Sequence, residues 1–386
     1  QCNEVITKYG ESTEPEIIQY VAEARFWRAF SYDKLYHLFG TVPLVTGSQD
    51  IKNGIARASQ EEMESFIETE LADVEKVLPE TYSSTDYGRP TSWAVKATLA
   101  RYYLNKKDWK KASIYAKEII DKGGFNLVDY QDIFSKNQND EVILAINHIA
   151  EANHGNKYVA LVLEASIRDA LGITGVSASN GYGMAVPFFR TFDPDDKRIT
   201  PYNPATGKGI AVSGIVYKSD GTPVYGTPEE PKSVEEQLSR ILTFKWEVQT
   251  NIPLGEDASL NVPALRLGEV MLTYAEAENE LGHLEEAKTY VDKIRSRAGL
   301  ENLPANLNMA SMRDAILDER GWELYHEGYR REDLVRHGKL LEKVNEKYHY
   351  YFGKDMPWKN NNDRILQPIP TNALLLNPLL KQNPGY

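Results

Sequence analysis

At 386 residues and 41% hydrophobic, the chain is long enough to bury a full core and is ordinary for a globular protein. A net charge of −12 leaves no basic excess to neutralise phosphates and no basic amphipathic stretch to hold an anionic membrane surface, so nucleic-acid binders and peripheral membrane helices are excluded. Cys2 is the single cysteine, so internal disulfides and thiolate metal clusters are excluded too, and no apolar run is long enough to span a bilayer.

Cys2 runs into Asn3-Glu4-Val5-Ile6, which reads as a helix under way rather than the tether of a lipidated first residue. With no initiator Met and no signal peptide, the chain reads as cut from something longer. Over 15–39, Ile18, Val21, Ala22, Phe26, Ala29, Phe30 and Leu35 recur at helical spacing, and Gly40 and Pro43 close the helix. A second helix spans about 61–78, stopped by Pro79. Two more cover about 92–105 and 109–122, the latter with Asp108 as N-cap.

Past Phe125 the texture changes. Residues 172–231 hold nine Gly and seven Pro, against three Gly and two Pro in 60–125, which dictates loops and short strands. The aromatic residues of this stretch, Tyr182, Phe188, Phe189, Phe192, Tyr202, Tyr217 and Tyr225, argue against disorder. Residues 241–246 read as a strand. Helices return over about 263–297 and 310–346. The stretch 347–386 carries Pro357, Pro368, Pro370, Pro378 and Pro384, and is expected to wrap rather than pack as a helix.

Two of the helical pairs repeat each other. Ala100, Trp109, Ala112, Tyr115 and Ile119 recur as Ala275, Leu284, Ala287, Tyr290 and Ile294, each 175 positions on (275 − 100), and Gly124-Phe125 recurs as Gly299-Leu300. Repeated helical pairs bury their apolar faces on one another, the logic of a solenoid, yet here a long segment separates the copies. Function is expected in that interruption.

Catalytic and metal motifs are sparse. Glu280…His283 and Glu323…His326 share the Glu-x-x-His spacing of di-iron bundles, but Gly282 is expected to cap its helix and leave His283 in a loop. Asp193-Pro194-Asp195-Asp196 lacks the glycine and distal glutamate of a calcium loop and reads as a turn. No nucleophile elbow, zinc-protease motif, phosphate-binding glycine loop or dinucleotide fingerprint occurs, so neither a cofactor nor a metal is expected. The charges of Glu319–Arg336 recur at three and four residues and read as ion pairs along one helix. Tyrosine is abundant, 23 against 11 Phe, and suits surfaces where one edge of the ring is wet. Such rings stack on the C–H faces of sugars. Tyr102, Tyr103, Tyr115, Tyr274 and Tyr290 are accounted for by helix packing. The candidates for ligand contact are therefore Tyr182, Tyr202, Tyr217, Tyr225 and Trp246, with Asn180 and Arg190 as hydroxyl partners and Trp358 as an outlier.

Ala22-Glu23-Ala24-Arg25-Phe26-Trp27-Arg28-Ala29-Phe30, with Leu38-Phe39-Gly40-Thr41-Val42-Pro43 after it, resembles the N-terminal signature of SusD/RagB outer-membrane lipoproteins. Arg266–Glu276, the helix Glu319–Asp333, and the ending Pro368-Ile369-Pro370 with Gln382–Tyr386 are similar to further blocks of that family in the same order. The resemblance implies a mostly α fold, a right-handed superhelix of tetratricopeptide-like pairs with a large irregular insertion. It implies four parts of one integrated domain: a helical half at 1–125, a ligand-binding insertion at 126–263, a second helical half at 264–346 and a wrapping tail at 347–386. It further implies a non-enzymatic, lipid-anchored protein at the outer face of a Bacteroidetes outer membrane. Such a protein captures oligosaccharides for a TonB-dependent, SusC-like transporter, or peptides in the RagB branch. Members of the family carry about a hundred residues ahead of the helix ending near Tyr9, including the anchor.

Overall fold

A computed structural model describes residues 1–47, 53–151, 154–163, 165–170, 177–179, 181–199, 241, 243, 245–247 and 258–386. The first half is helical: α1 (Cys2–Tyr9), α2 (Pro15–Phe39), α3 (Gln60–Glu75), α4 (Ser92–Asn105), α5 (Trp109–Lys122) and the short α6 (Asp132–Ser135). Strand β1 (Val142–Ile146) follows, then α7 (Tyr158–Val162), α8 (Ala165–Ala170) and α9 (Val186–Phe189). Strand β2 (Val262–Arg266) leads into α10 (Leu267–Glu280), α11 (Leu284–Ala298), α12 (Met309–Glu323), α13 (Arg330–Arg336), α14 (Leu340–Phe352) and α15 (Thr371–Leu376).

Local chemistry sets the helix ends. Pro15 opens α2 within its first turn, where its missing N–H costs nothing, and Gly40 closes it. Ser59 and Glu62 form a reciprocal capping box on α3, and the Asp108 carboxylate accepts the Lys111 amide at the start of α5. The two copied pairs, α4–α5 and α10–α11, are neighbours in space, with α5 lying directly on α10. Ala100, Ala112, Ile119, Ala275, Ala287 and Ile294 are all buried in the shared core. Small alanines let the helices approach closely, while Tyr103 stacks on Tyr115 and Tyr274 meets Tyr290 edge to face. Both copies turn out of their second helix through a left-handed glycine, Gly124 (φ +75°) and Gly299 (φ +80°).

The segment between the copies is closed at its neck. Entry strand β1 pairs antiparallel with exit strand β2, Val142 opposite Arg266 and Ile146 opposite Val262, through an irregular register. Single bridges, Asn156 to Ala258 and Met184 to Ile241, tie the loops beyond. Because its ends meet, the long insertion leaves the α5–α10 contact intact.

Several expectations are corrected. The stretch from Pro263 begins as strand β2, and the helix starts only at Leu267. Of the described residues in 241–246, Ile241 alone pairs, as a single bridge. The helical stretch from Ala310 is three helices. It breaks after Glu323 at a turn in which His326 has φ +60°, and again between α13 and α14. The last helix of that half runs on to Phe352, past residue 346. The tail beyond it wraps, though it also forms the short helix α15. Gln367 donates to the Leu38 carbonyl, Arg57 to Asn383, and Asn377 exchanges bonds with the backbone of Ile55, strapping the C-terminus across the end of α2. Among the described residues no helix is long and apolar enough to cross a membrane.

Candidate functional site

Buried charge holds the insertion on the scaffold. Arg266, at the end of β2, is fully buried and makes five bonds. Its guanidinium donates to Glu141 at 2.8 Å, to Glu323 at 2.6 Å, to both oxygens of Glu327 at 2.7 Å, and to the Glu323 carbonyl at 3.0 Å. Arg198, from the insertion, pairs with Asp196 and reaches Glu319 at 2.7 Å and Glu323 at 3.1 Å on α12. Lys245 donates to Glu327 and to the carbonyls of Tyr325 and Glu323. Gly268 is required here, because a Cβ would fall 2.5 Å from Arg266 Nη1 and 2.9 Å from Glu141. Burial alone would raise the pKa of Glu323, yet the guanidiniums of Arg297, Arg266 and Arg198 hold it well below the carboxylate range. Burial lowers Lys245 to about 8.

Most ion pairs predicted along one helix are therefore cross-fold pairs. Glu319 and Glu323 meet Arg198, Arg266, Arg295 and Arg297, while Arg320 and Arg336 meet Glu276 and Asp333. Of the two Glu-x-x-His motifs, Glu280 is held by Arg313 and His283 by Glu278, while Glu323 sits in the buried cluster. The Asp193–Asp196 run forms a turn with Asp196 buried on Arg198.

On this base stands a surface with exposed rings. Asn156 donates from its side chain to the Leu260 carbonyl and accepts the Tyr158 amide, which starts α7. The Leu161 carbonyl at the end of α7 then accepts the amides of Gly181 (2.7 Å) and Tyr182 (3.1 Å), and the Ala160 carbonyl accepts Ser179. Tyr182 is held by its backbone while its side chain is 60% exposed, with no partner for its hydroxyl among the described residues. Next to it, Gly183 and Ala185 line a cleft of about 400 Å³ whose other wall is Val344, Lys347, Tyr348, Tyr351 and Phe352 of α14. Tyr348 and Phe352, one turn apart, hold their rings 4.6 Å apart, and Phe352 is exposed. Apolar rings beside the exposed Lys347 ammonium suit a polyhydroxylated ligand with alternating C–H and O–H faces.

The sequence candidates divide. Tyr182 lies at this surface. The exposed guanidinium of Arg190 lies 5.6 Å from the Tyr350 ring. Trp246 is corrected: at 3% exposure it is core, its ring against Tyr158 and Phe134 and its N–H donated to the Asn261 carbonyl. Asn180, Tyr202, Tyr217 and Tyr225 lie outside the described residues. Tyr348, Phe352 and Lys347 were not anticipated; the i, i+4 spacing of the two rings was the available signal.

One half-buried histidine couples the base to the surface. His326 Nδ1 lies 2.6 Å from the Tyr158 hydroxyl, and burial with the nearby Lys245 lowers its pKa to about 4. The neutral ring and the Tyr158 hydroxyl share this one hydrogen bond, and the same hydroxyl lies 3.3 Å from the Thr243 carbonyl.

What the fold defines is a superhelix of helical pairs carrying a loop-rich insertion. The SusD family profile matches residues 212–386, and a profile described as starch-binding and associating with the outer membrane matches residues 3–104. SusD-like protein P2 of Formosa agariphila is 28% identical over 100% of this chain and 78% of its own. The starch-binding protein SusD of Bacteroides thetaiotaomicron is 24% identical over 97% of this chain and 74% of its own. A laminarin-binding SusD-like protein superposes with a TM-score of 0.76 at 23% identity, covering 100% of this chain and 83% of that one. Together the two matches take in most of the chain, which belongs to the SusD/RagB family.

Proposed function

We propose that this protein captures oligosaccharides at the extracellular face of the outer membrane, where a lipid anchors it, and passes them to a TonB-dependent transporter without cleaving them. The observation that carries the reading is Tyr182, an exposed ring pinned by its backbone on the insertion beside an aromatic-lined cleft. The starch-binding and laminarin-binding relatives support it. Within this reading the insertion, 126–263, is the ligand-binding part, and Asn180, Tyr202, Tyr217 and Tyr225 add further contacts to those of Tyr182 and Arg190. The two helical halves are the rigid body that docks on the transporter.

Isothermal titration against starch, laminarin, pectin and alginate, each with its hexasaccharide, tests the capture step. Binding to one of them, weakened in Tyr182→Ala, is the expected result. Binding to none of these glycans, together with binding to a mixed oligopeptide library, would replace this reading by the peptide-capturing alternative. Release of new reducing ends from a bound glycan would contradict the non-catalytic role. Co-purification of a transporter with the tagged protein from its native membrane tests the hand-over.

A further inference from the structure

The tail carries a second aromatic surface that the cleft does not use. Trp358 is 39% exposed, unusual for a residue that ordinarily hides its large ring. The loop around it is built. The Asn361 amide closes a turn onto the Trp358 carbonyl at 3.0 Å, and the Asn361 side chain caps Asp363 at the start of a short 3₁₀ turn, Asn362–Ile365. Arg364 lies between two rings, 4.2 Å from Tyr386 and 5.9 Å from Trp358, and Tyr386 is fixed by its hydroxyl to the Leu366 carbonyl.

In a chain of net charge −12, Arg364 is held by rings and makes no ion pair or side-chain hydrogen bond among the described residues. Its buried Nε is without an acceptor. The Trp358 indole N–H and the side chains of Asn360 and Asn362 have no hydrogen-bond partner among the described residues either, and both asparagines are exposed. A flat ring with a guanidinium near it and exposed amide side chains two and four positions along the chain can stack on a sugar ring and meet its hydroxyls.

Position relates this surface to the cleft. Asp355 and Met356, just ahead of Trp358, are bonded to Asn345 of α14, and His349 lies 3.4 Å from Asp355. Asn345 and His349 are one position on from Val344 and Tyr348, which line the cleft, so they lie about 100° further round the same helix. The Trp358 loop and the Tyr182 surface thus flank α14 on adjoining sides, within reach of one extended chain.

We infer that Trp358, Arg364, Asn360 and Asn362 form a second sugar-binding contact that engages a glycan chain already held at Tyr182 and the α14 cleft, so that polymers are retained better than short oligosaccharides. This rests on the glycan-capture reading. Linked contacts turn the second binding event into an intramolecular one, raising retention by roughly tenfold or more without strengthening either contact.

The experiment compares Trp358→Ala, Trp358→Phe and the wild type on the panel polysaccharide that binds, immobilised, and on its hexasaccharide in solution. Trp358→Ala is expected to lose about tenfold in polymer retention while its hexasaccharide affinity stays within about twofold, and Trp358→Phe to recover most of the loss. Unchanged polymer retention in Trp358→Ala overturns the inference, as does equal loss on polymer and hexasaccharide. A lowered Tm with unchanged retention would assign Trp358 to pinning the tail and overturn it as well. Failure of the wild type to bind any glycan strikes the underlying reading instead, and Tyr182→Ala separates the two by weakening polymer and hexasaccharide alike.

Discussion

The helical repeats and the neck of the insertion are buried to a similar depth by opposite means. Where α5 lies on α10, the contact is alanine, isoleucine and tyrosine, non-directional and tolerant of small changes in volume. At the neck, Glu141, Arg198, Lys245, Arg266, Glu323 and Glu327 are buried as interlocked charges, each needing partners at defined positions. Replacing such a cluster wholesale by apolar residues is often neutral, whereas removing one member strands the others. The repeats therefore supply stability, and the neck fixes how the insertion and its exposed rings sit on the scaffold.

The largest expected effect breaks the neck. Arg266→Met strands Glu141, Glu323 and Glu327 and is expected to cost about 3–5 kcal/mol in urea denaturation, whereas Ile294→Val in the repeat core costs roughly 1 kcal/mol. Similar losses in the two variants would show that the neck is no more demanding than the repeats.

Acid sharpens the same contrast. The pKa of His326 is about 4 in the folded protein, against 6.5 for a free histidine, because burial and Lys245 disfavour its charged form. As pH falls the unfolded chain takes up this proton first, so stability is full above about pH 6.5 and is lost toward pH 4, by about 3 kcal/mol for this group. Protonation also charges the ring that is bonded to the Tyr158 hydroxyl, and Tyr158 opens the helix that anchors Tyr182. Stability measured between pH 7 and 4.5 should fall more steeply in the wild type than in His326→Gln. Identical slopes would remove His326 from the coupling.

Tyr182→Ala should act on binding alone. Loss of one exposed stacking ring is expected to weaken glycan affinity by about 1 kcal/mol, roughly fivefold, with folding stability unchanged within about 0.5 kcal/mol. A stability loss beyond that would make Tyr182 part of the fold rather than of the site.

The sequence disclosed the repeat, the spans of α2, α4 and α5, and the Gly/Pro-rich interruption, because helical periodicity and chain-breaking residues are local signals. Strands β1 and β2 escaped because five-residue strands with so little exposure show little polar–apolar alternation, and Pro263 sits at a helix approach. The charges of 319–336 were visible, but their partners Arg198 and Arg266 lie 121 and 57 residues away from the glutamates they meet, so local spacing misassigned them. Tyr182 was readable as a tyrosine that helix packing does not explain. Trp246 carried the same signal and proved to be core, since composition does not tell which ring a distant Phe134 will cover.

The smallest effect tests the repeats against each other. Asp108 and His283 occupy the same position in the two copies, one residue before the second helix, with closely similar backbone angles: φ −82°, ψ 74° and φ −91°, ψ 65°. Only the first caps its helix. Asp108 accepts the Lys111 amide at 3.1 Å, while His283 makes no cap and instead meets Glu278 from a largely exposed position. Asp108→Ala is therefore expected to cost about 1 kcal/mol. Transplanting a short capping hydroxyl, His283→Ser, should stabilise by several tenths of a kcal/mol, because His283 is itself largely exposed and the buried Glu278 carboxylate keeps its bond from Ser113. Thermal unfolding of both variants reads the difference. A destabilised His283→Ser would mean that the Glu278 pair, and not the vacant cap, governs the start of α11, and that the two copies have diverged in what holds their second helices.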